Sequence, residues 1–191
     1  VVLGSGDHSS FYVDKPLTIL GDGEPLLRAA MQSPAIRVNS DGVIISGFKI
    51  LGAKKDTTAK FDYYMNNPEA ASGQRLDRPN SAIVVQGSDF VMKDSSIFGA
   101  QVGLQVENVD NITLQNISMD TCDTGASLMN CRYATVEGCH ITNCKKYGLD
   151  IEQSRDIMLK QNEIADNANA GALLKKSEQC RISENIFSQN T

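Results

Sequence analysis

Apolar residues fall along this chain in short alternating runs and not at helical spacing. Leu104-Gln105-Val106, Ala126-Ser127-Leu128, Leu149-Asp150-Ile151 and Ala172-Leu173-Leu174 are the clearest cases. Alternation over so few residues predicts strands with one buried face. A glycine opens each run, and Gly103, Gly125, Gly148 and Gly171 follow one another at spacings of 22, 23 and 23 residues. Six residues after each glycine comes a turn position, held by Val109, Cys131, Ser154 and Ser177. A second strand then follows in the form apolar-x-x-(Asn or substitute)-x-apolar, at 114–119, 136–141, 159–164 and 182–187, and the same frame fits 92–97 and 45–50.

A fixed period of this length marks a solenoid, in which each repeat buries its apolar face against its neighbours. Down the fourth position of the second strand stand Phe48, Ser95, Ile117, Cys139, Asn162 and Asn185. Stacked Asn side chains can hydrogen-bond from coil to coil and tolerate bends, so a ladder is expected over the last two coils, broken by the substitutes before them. Further upstream, 17–21 aligns with 43–47 at an offset of 26. The pattern predicts an all-β chain, a right-handed parallel β-helix of about seven coils forming a single domain over 1–191. At ~4.8 Å between parallel strands, such a rod is about 34 Å long. A leucine-rich repeat shares the period, but the units lack its Leu-x-x-Leu-x-Leu frame and its helical segment.

One stretch departs from the period. Phe48 and Ser95 are 47 residues apart, and the intervening 52–80 combines a polar run, an aromatic island around Tyr63 and Tyr64, and turn residues at Asn66-Asn67-Pro68. It reads as an inserted loop that leaves the rod just before the third coil's glycine-type strand, where it could fold over the face those strands make. The chain opens on Val1-Val2-Leu3 and stops within a repeat, so it is expected to be a piece of something longer.

Composition narrows the function classes. Aromatics are 6% with no Trp, which suits short strands joined by tight turns. A net charge of −5 argues against a nucleic-acid partner or an anionic membrane, and no apolar run approaches the ~20 residues that span a bilayer. The five cysteines, at 122, 131, 139, 144 and 180, form no CxxC pair and no zinc spacing. They are expected to pack as buried thiols, although Cys122 and Cys144 occupy one repeat position in successive coils and could approach closely enough to join. No cofactor is expected. Calcium stays open, because Asp120, Asp123, Asp166 and Asn167 lie at turns, without a dense loop motif. Two sequons, at Asn111 and Asn116, are of a kind that arises by chance in an Asn-rich repeat.

With Leu104, Val106 and their equivalents inward, two outward columns follow. One reads Val84, Gln105, Ser127, Asp150, Leu173 and the other Gln86, Glu107, Met129, Glu152, Lys175. Asp150 and Glu152 on one strand lie about 7 Å apart, compatible with a carboxylate pair acting on sugars. Asp150, Glu152 and Lys175 are therefore the candidate catalytic cluster, and Gln105, Glu107, Tyr63 and Tyr64 the candidate substrate-binding residues. An ordinary surface ion pair between Glu152 and Lys175 is the competing reading. His140 should also point outward, beside Glu163 on the next coil.

Segments 14–21 and 41–50, with the four glycine-led coils, resemble the pectin-lyase-like β-helix superfamily. The resemblance covers most of the chain outside 52–80. It implies a carbohydrate-binding or polysaccharide-processing module, with a polysaccharide or glycoprotein partner and an extracellular, cell-surface or periplasmic setting. Any enzyme activity would be that of a polysaccharide lyase or a glycoside hydrolase. The chain departs from the family's catalytic patterns: it has no Gly-His-Gly element with paired aspartates, no Leu-Gly-Arg-Pro-Trp element, and no calcium-carboxylate set with an arginine. The alternative is a non-catalytic structural or adhesive module that docks a protein.

Overall fold

A computed structural model describes residues 1–30, 33–53 and 80–191, which form a parallel β-solenoid. Each coil contributes up to three strands. The first coil holds β1 (Val2–Leu3), β2 (Asp7–His8) and β3 (Phe11–Val13), and the second holds β4 (Thr18–Gly21), β5 (Leu26–Arg28) and β6 (Ile36–Val38). The third has β7 (Ile44–Ser46), β8 (Lys49–Leu51) and β9 (Ser81–Val85). In the next two coils the first two strands fuse, giving β10 (Phe90–Phe98) with β11 (Val102–Glu107), then β12 (Asp110–Asp120) with β13 (Thr124–Met129). The sixth coil is β14 (Arg132–Glu137), β15 (His140–Thr142) and β16 (Tyr147–Glu152), and the seventh is β17 (Arg155–Lys160), β18 (Glu163–Ala165) and β19 (Ala170–Lys175). An eighth begins with β20 (Arg181–Ser183) and β21 (Ile186–Ser188).

First and second strands merge into one sheet of fourteen, while the third strands form a separate seven-stranded sheet in the order β19-β16-β13-β11-β9-β6-β3. Every pairing between these strands is parallel, and no helix occurs among the described residues. In sequence, the segment 52–80 lies between β8 and β9. Its residues 54–79, Tyr63 and Tyr64 among them, lie outside the described residues.

Four bends per coil let so short a chain close on itself. At each, one residue adopts a left-handed backbone and the next turns inward. The columns run Asn108, Asn130, Gln153, Lys176; then Asp94, Asn116, Gly138, Gln161, Glu184; then Gly99, Thr121, Asn143, Asp166, Gln189; and Asp89, Asn111, Tyr133, Asp156, Gln179. Asn, Asp and Gly tolerate this conformation best, which explains their abundance at these positions. The inward residue after the bend must also satisfy backbone groups that the ladder misses.

Asn162 does so fully. Its Oδ1 accepts from the Cys139 amide at 2.9 Å, and its Nδ2 donates to the Val136 carbonyl at 2.8 Å and to Asn185 Oδ1 at 2.9 Å. A second ladder, at Asn167 and Asn190, repeats the geometry beneath Cys144. Ser154 plays the same part at a third bend, its Oγ accepting from the Cys131 amide at 3.1 Å.

The substitutes do not simply break the ladder, contrary to expectation. The thiols of Cys131, Cys139 and Cys144 occupy the acceptor positions, each donating to a carbonyl two residues back, at 3.4, 3.5 and 3.6 Å. Burial pushes the pKa of these thiols up, to about 11, about 11 and about 12, against the opposing effect of backbone hydrogen bonds from Val109, Ile117 and Cys122. None of the five cysteines forms a disulfide; Cys122, Cys131, Cys139 and Cys144 are buried as expected, whereas Cys180 is only half-buried.

The glycines of the period are dictated by close approach. A Cβ on Gly103, Gly125 or Gly148 would sit 2.5 Å from the carbonyl oxygen of the next glycine in the column. Inside the rod, Leu104, Ala126 and Leu149 stack on one side, with Leu114, Val136 and Leu159 facing them, all fully buried. Phe48 and Phe90 fill the third and fourth coils, and Phe11 meets Phe48 edge-on with ring centroids 6.5 Å apart.

Candidate functional site

The seven-stranded sheet turns one face to the core and one outward. Pairing places Arg37, Val84, Gln105, Ser127, Asp150 and Leu173 in one outward column, and Glu107, Met129, Glu152 and Lys175 in a second. The registers expected from the glycine-led repeat are thus those observed. Asp150 and Glu152 stand on β16, with Lys175 beside Glu152 on β19.

A third outward column escaped the alternating pattern. The glycine of each strand is skipped in the pairing, so the residue before it faces outward as well. Ser81, Val102, Thr124, Tyr147 and Ala170 form this column. Ser81 shows its direction by donating from Oγ to Gln105 Oε1 at 2.5 Å, and Val102 is buried yet stands apart from the core cluster. Tyr147 therefore shares the outer face of β16 with Asp150 and Glu152, between the small side chains of Thr124 and Ala170. The one available signal for it was a tyrosine directly before a periodic glycine.

Asp150 is electrostatically unusual. It is half-buried, and its Oδ1 is shut off from solvent with no hydrogen-bond partner. Its pKa lies above the ordinary carboxylate value, chiefly because burial penalises the charge; the Lys175 ammonium opposes the shift and Glu152 adds to it. An unsatisfied carboxylate oxygen in such a position is costly unless protonation relieves it. Glu152 and Lys175 face each other in register, but they form no ion pair within 4 Å, so the ordinary surface bridge considered for them is not made.

Lower on the same face a second carboxylate is held in place. Gln105 Nε2 donates to Glu107 Oε1 at 2.6 Å, and Gln105 Oε1 takes the Ser81 hydroxyl. Glu107 is two coils from Glu152, about 10 Å along the axis. The four described site residues of β11 and β16, together with Lys175, thus lie on one continuous surface. Tyr63 and Tyr64 are outside the described residues.

His140 lies on the other sheet, in the column Ser96, Ser118, His140, Glu163, with Nε2 3.5 Å from Glu163 Oε2. Both are largely exposed, and no further reactive group joins them. Among the described residues no three His, Cys, Asp or Glu side chains converge as metal ligands. No helix there is long and apolar enough to cross a membrane.

Residues 63–191 match the family model of the right handed beta helix region. No curated protein matches the chain significantly in sequence. Similar solved structures include a putative glycosyl hydrolase from Parabacteroides merdae, at 14% identity and a TM-score of 0.69, covering 84% of this chain and 78% of that one. The pectate lyase Pel9A is similar at 11% identity and a TM-score of 0.65, over 96% of this chain and 53% of its own. A periplasmic alginate epimerase, AlgG, gives 11% identity and a TM-score of 0.64, over 100% and 49%. The chain spans about half the length of the last two. Likeness at these identities is likeness of fold.

Proposed function

The chain belongs to the right-handed β-helix family, and from that premise we propose that it binds and processes a polysaccharide along the outer face of the seven-stranded sheet. The observation that carries this reading is Asp150: a carboxyl group with a shielded, unpartnered oxygen and a raised pKa, on a surface that also bears Glu152 and Tyr147. A protonated Asp150 donates its proton to the leaving glycosidic oxygen as that C–O bond breaks. Glu152, about 7 Å along the strand, takes a proton from the water whose oxygen bonds to the sugar carbon, a spacing suited to hydrolysis with inversion. Lys175 holds down the rise at Asp150 and orients hydroxyls. Gln105 and Glu107 bind a sugar two coils away. The periplasmic setting of the alginate epimerase motivates an extracellular or periplasmic setting for this chain.

Reducing-end release from a panel of polysaccharides tests the reading. The wild-type chain is expected to release reducing ends, and Asp150→Asn and Glu152→Gln to lower the rate by about 10²-fold or more while leaving binding in place. Unchanged rates in both variants would remove the catalytic assignment.

One observation favours a second reading, in which the face docks a protein. Met129 is 41% exposed at its centre, with Val84 and Leu173 in the adjacent column. Under that reading Met129→Lys abolishes partner capture, whereas Asp150→Asn and Glu152→Gln do not.

A further inference from the structure

Resting on the glycan-binding reading above, we infer that the ligand of this face is an uncharged polysaccharide, stacked on Tyr147, and not a polymer of uronic acids. The charges around the site point this way. Asp150 and Glu152 share a strand, and Glu107 stands two coils below them in the Glu152 column. Of the nearby cations, Lys145 is already turned to Asp123, with Nζ 3.8 Å from Oδ1, and Lys175 stands exposed without a carboxylate inside 4 Å. Lys146 is exposed at the turn before β16, and Arg37 lies several coils away in the Asp150 column. A sugar carboxylate laid on β16 would meet the like charge of Glu152, with Glu107 two coils below, and only exposed, water-screened cations.

What the face offers instead suits a neutral sugar. Glu107 is fixed through one oxygen by Gln105, itself fixed by Ser81, which leaves the other oxygen able to accept sugar hydroxyls in charge-assisted bonds. Tyr147 stands beside the small side chains of Thr124 and Ala170, which leave room for the apolar face of a pyranose ring against its own ring. Hydroxyl-accepting carboxylates next to an aromatic surface recognise a polyhydroxylated, uncharged ring. They give nothing to a carboxylate.

Calorimetric titration of the full chain tests this with two sets of oligosaccharides: neutral glucans, mannans and xylans, and oligomers of galacturonate and mannuronate. At low ionic strength at least one neutral set is expected to bind roughly tenfold or more tighter than either uronate, with the gap narrowing as salt is raised. Tyr147→Ala should weaken neutral-glycan binding about tenfold, while Tyr147→Phe, which keeps the ring, stays within about twofold of wild type. Tighter binding of uronates, or full affinity in Tyr147→Ala, overturns the inference and leaves the glycan reading standing. Silence toward both sets overturns the glycan reading with it.

Discussion

Asp150 titrates against the usual direction for a carboxylate. Its folded pKa is raised, so around that value the native state holds more protons than the unfolded chain, and stability falls as pH rises through it. Asp150→Asn, which removes the desolvated charge, is therefore expected to raise Tm at neutral pH. The gain should shrink as pH is lowered through the folded pKa, and thermal melts at pH 7 and pH 4 measure it. A gain equal at both would mean that the charge is not its source. Thr121 presents a different kind of strain. Its φ is +54°, in a column otherwise held by Gly99, Asn143, Asp166 and Gln189, and a β-branched side chain resists that region. Thr121→Asn is expected to stabilise by about 1 kcal/mol, which for a chain of this size is about 2–4 °C in Tm. Neither property was legible in the sequence. The outward position of Asp150 followed from the repeat, but the shielding of its oxygen did not. The left-handed columns are partly disguised, because Tyr133, Gln153 and Lys176 occupy positions where Asn or Gly would have announced a bend.

At the scale of the element, bends and strands divide the work. The strands supply apolar columns and in-register backbone pairing, and the bends need a polar side chain wherever the ladder leaves an amide or carbonyl over. Asn162→Ala strands the Cys139 amide and the Val136 carbonyl in the interior, at a cost of about 2–4 kcal/mol. Urea denaturation of the variant reads this as a lower midpoint at unchanged slope. Gly148→Ala acts through sterics: the new methyl meets the Gly171 carbonyl oxygen at 2.5 Å and Ile164 Cγ2 at 2.8 Å, and a loss of about 2–3 kcal/mol is expected. The glycine period and the Asn columns were the most legible parts of the chain, since close approach and bend chemistry each restrict a position to very few residues. The same glycine concealed Tyr147, because a strict two-residue alternation through Gly148 points the tyrosine inward. The skipped pairing at the glycine shifts that phase.

Over the whole molecule, stability is a sum of coils and the contacts between neighbours. The middle coils are the most completely closed: Leu104, Leu114, Leu128, Val136 and Leu149 have no exposed surface. Toward the eighth coil the columns open, and Ile182, Ile186 and Phe187 are 52%, 61% and 44% exposed. In a chain of residues 1–191 opening should therefore begin at the two outermost coils, where Val1 and Val2 are also 67% and 66% exposed, and travel inward one coil at a time, because each coil that leaves uncovers only the next. Hydrogen exchange is the measurement. Inward from the eighth coil, amides of β20 and β21 are expected to exchange first, those of β17 to β19 next, and those of β11 to β14 last, near the rate set by global unfolding. Gly148→Ala should steepen this gradient, bringing β16 and everything beyond it to fast exchange while leaving β9 to β11 protected. Uniform loss of protection along the rod would instead show that the coils open as one cooperative unit. The candidate site on β16 lies on the less protected side of the closed middle, so ligand bound across β11, β13 and β16 should slow exchange in β16 more than in β11.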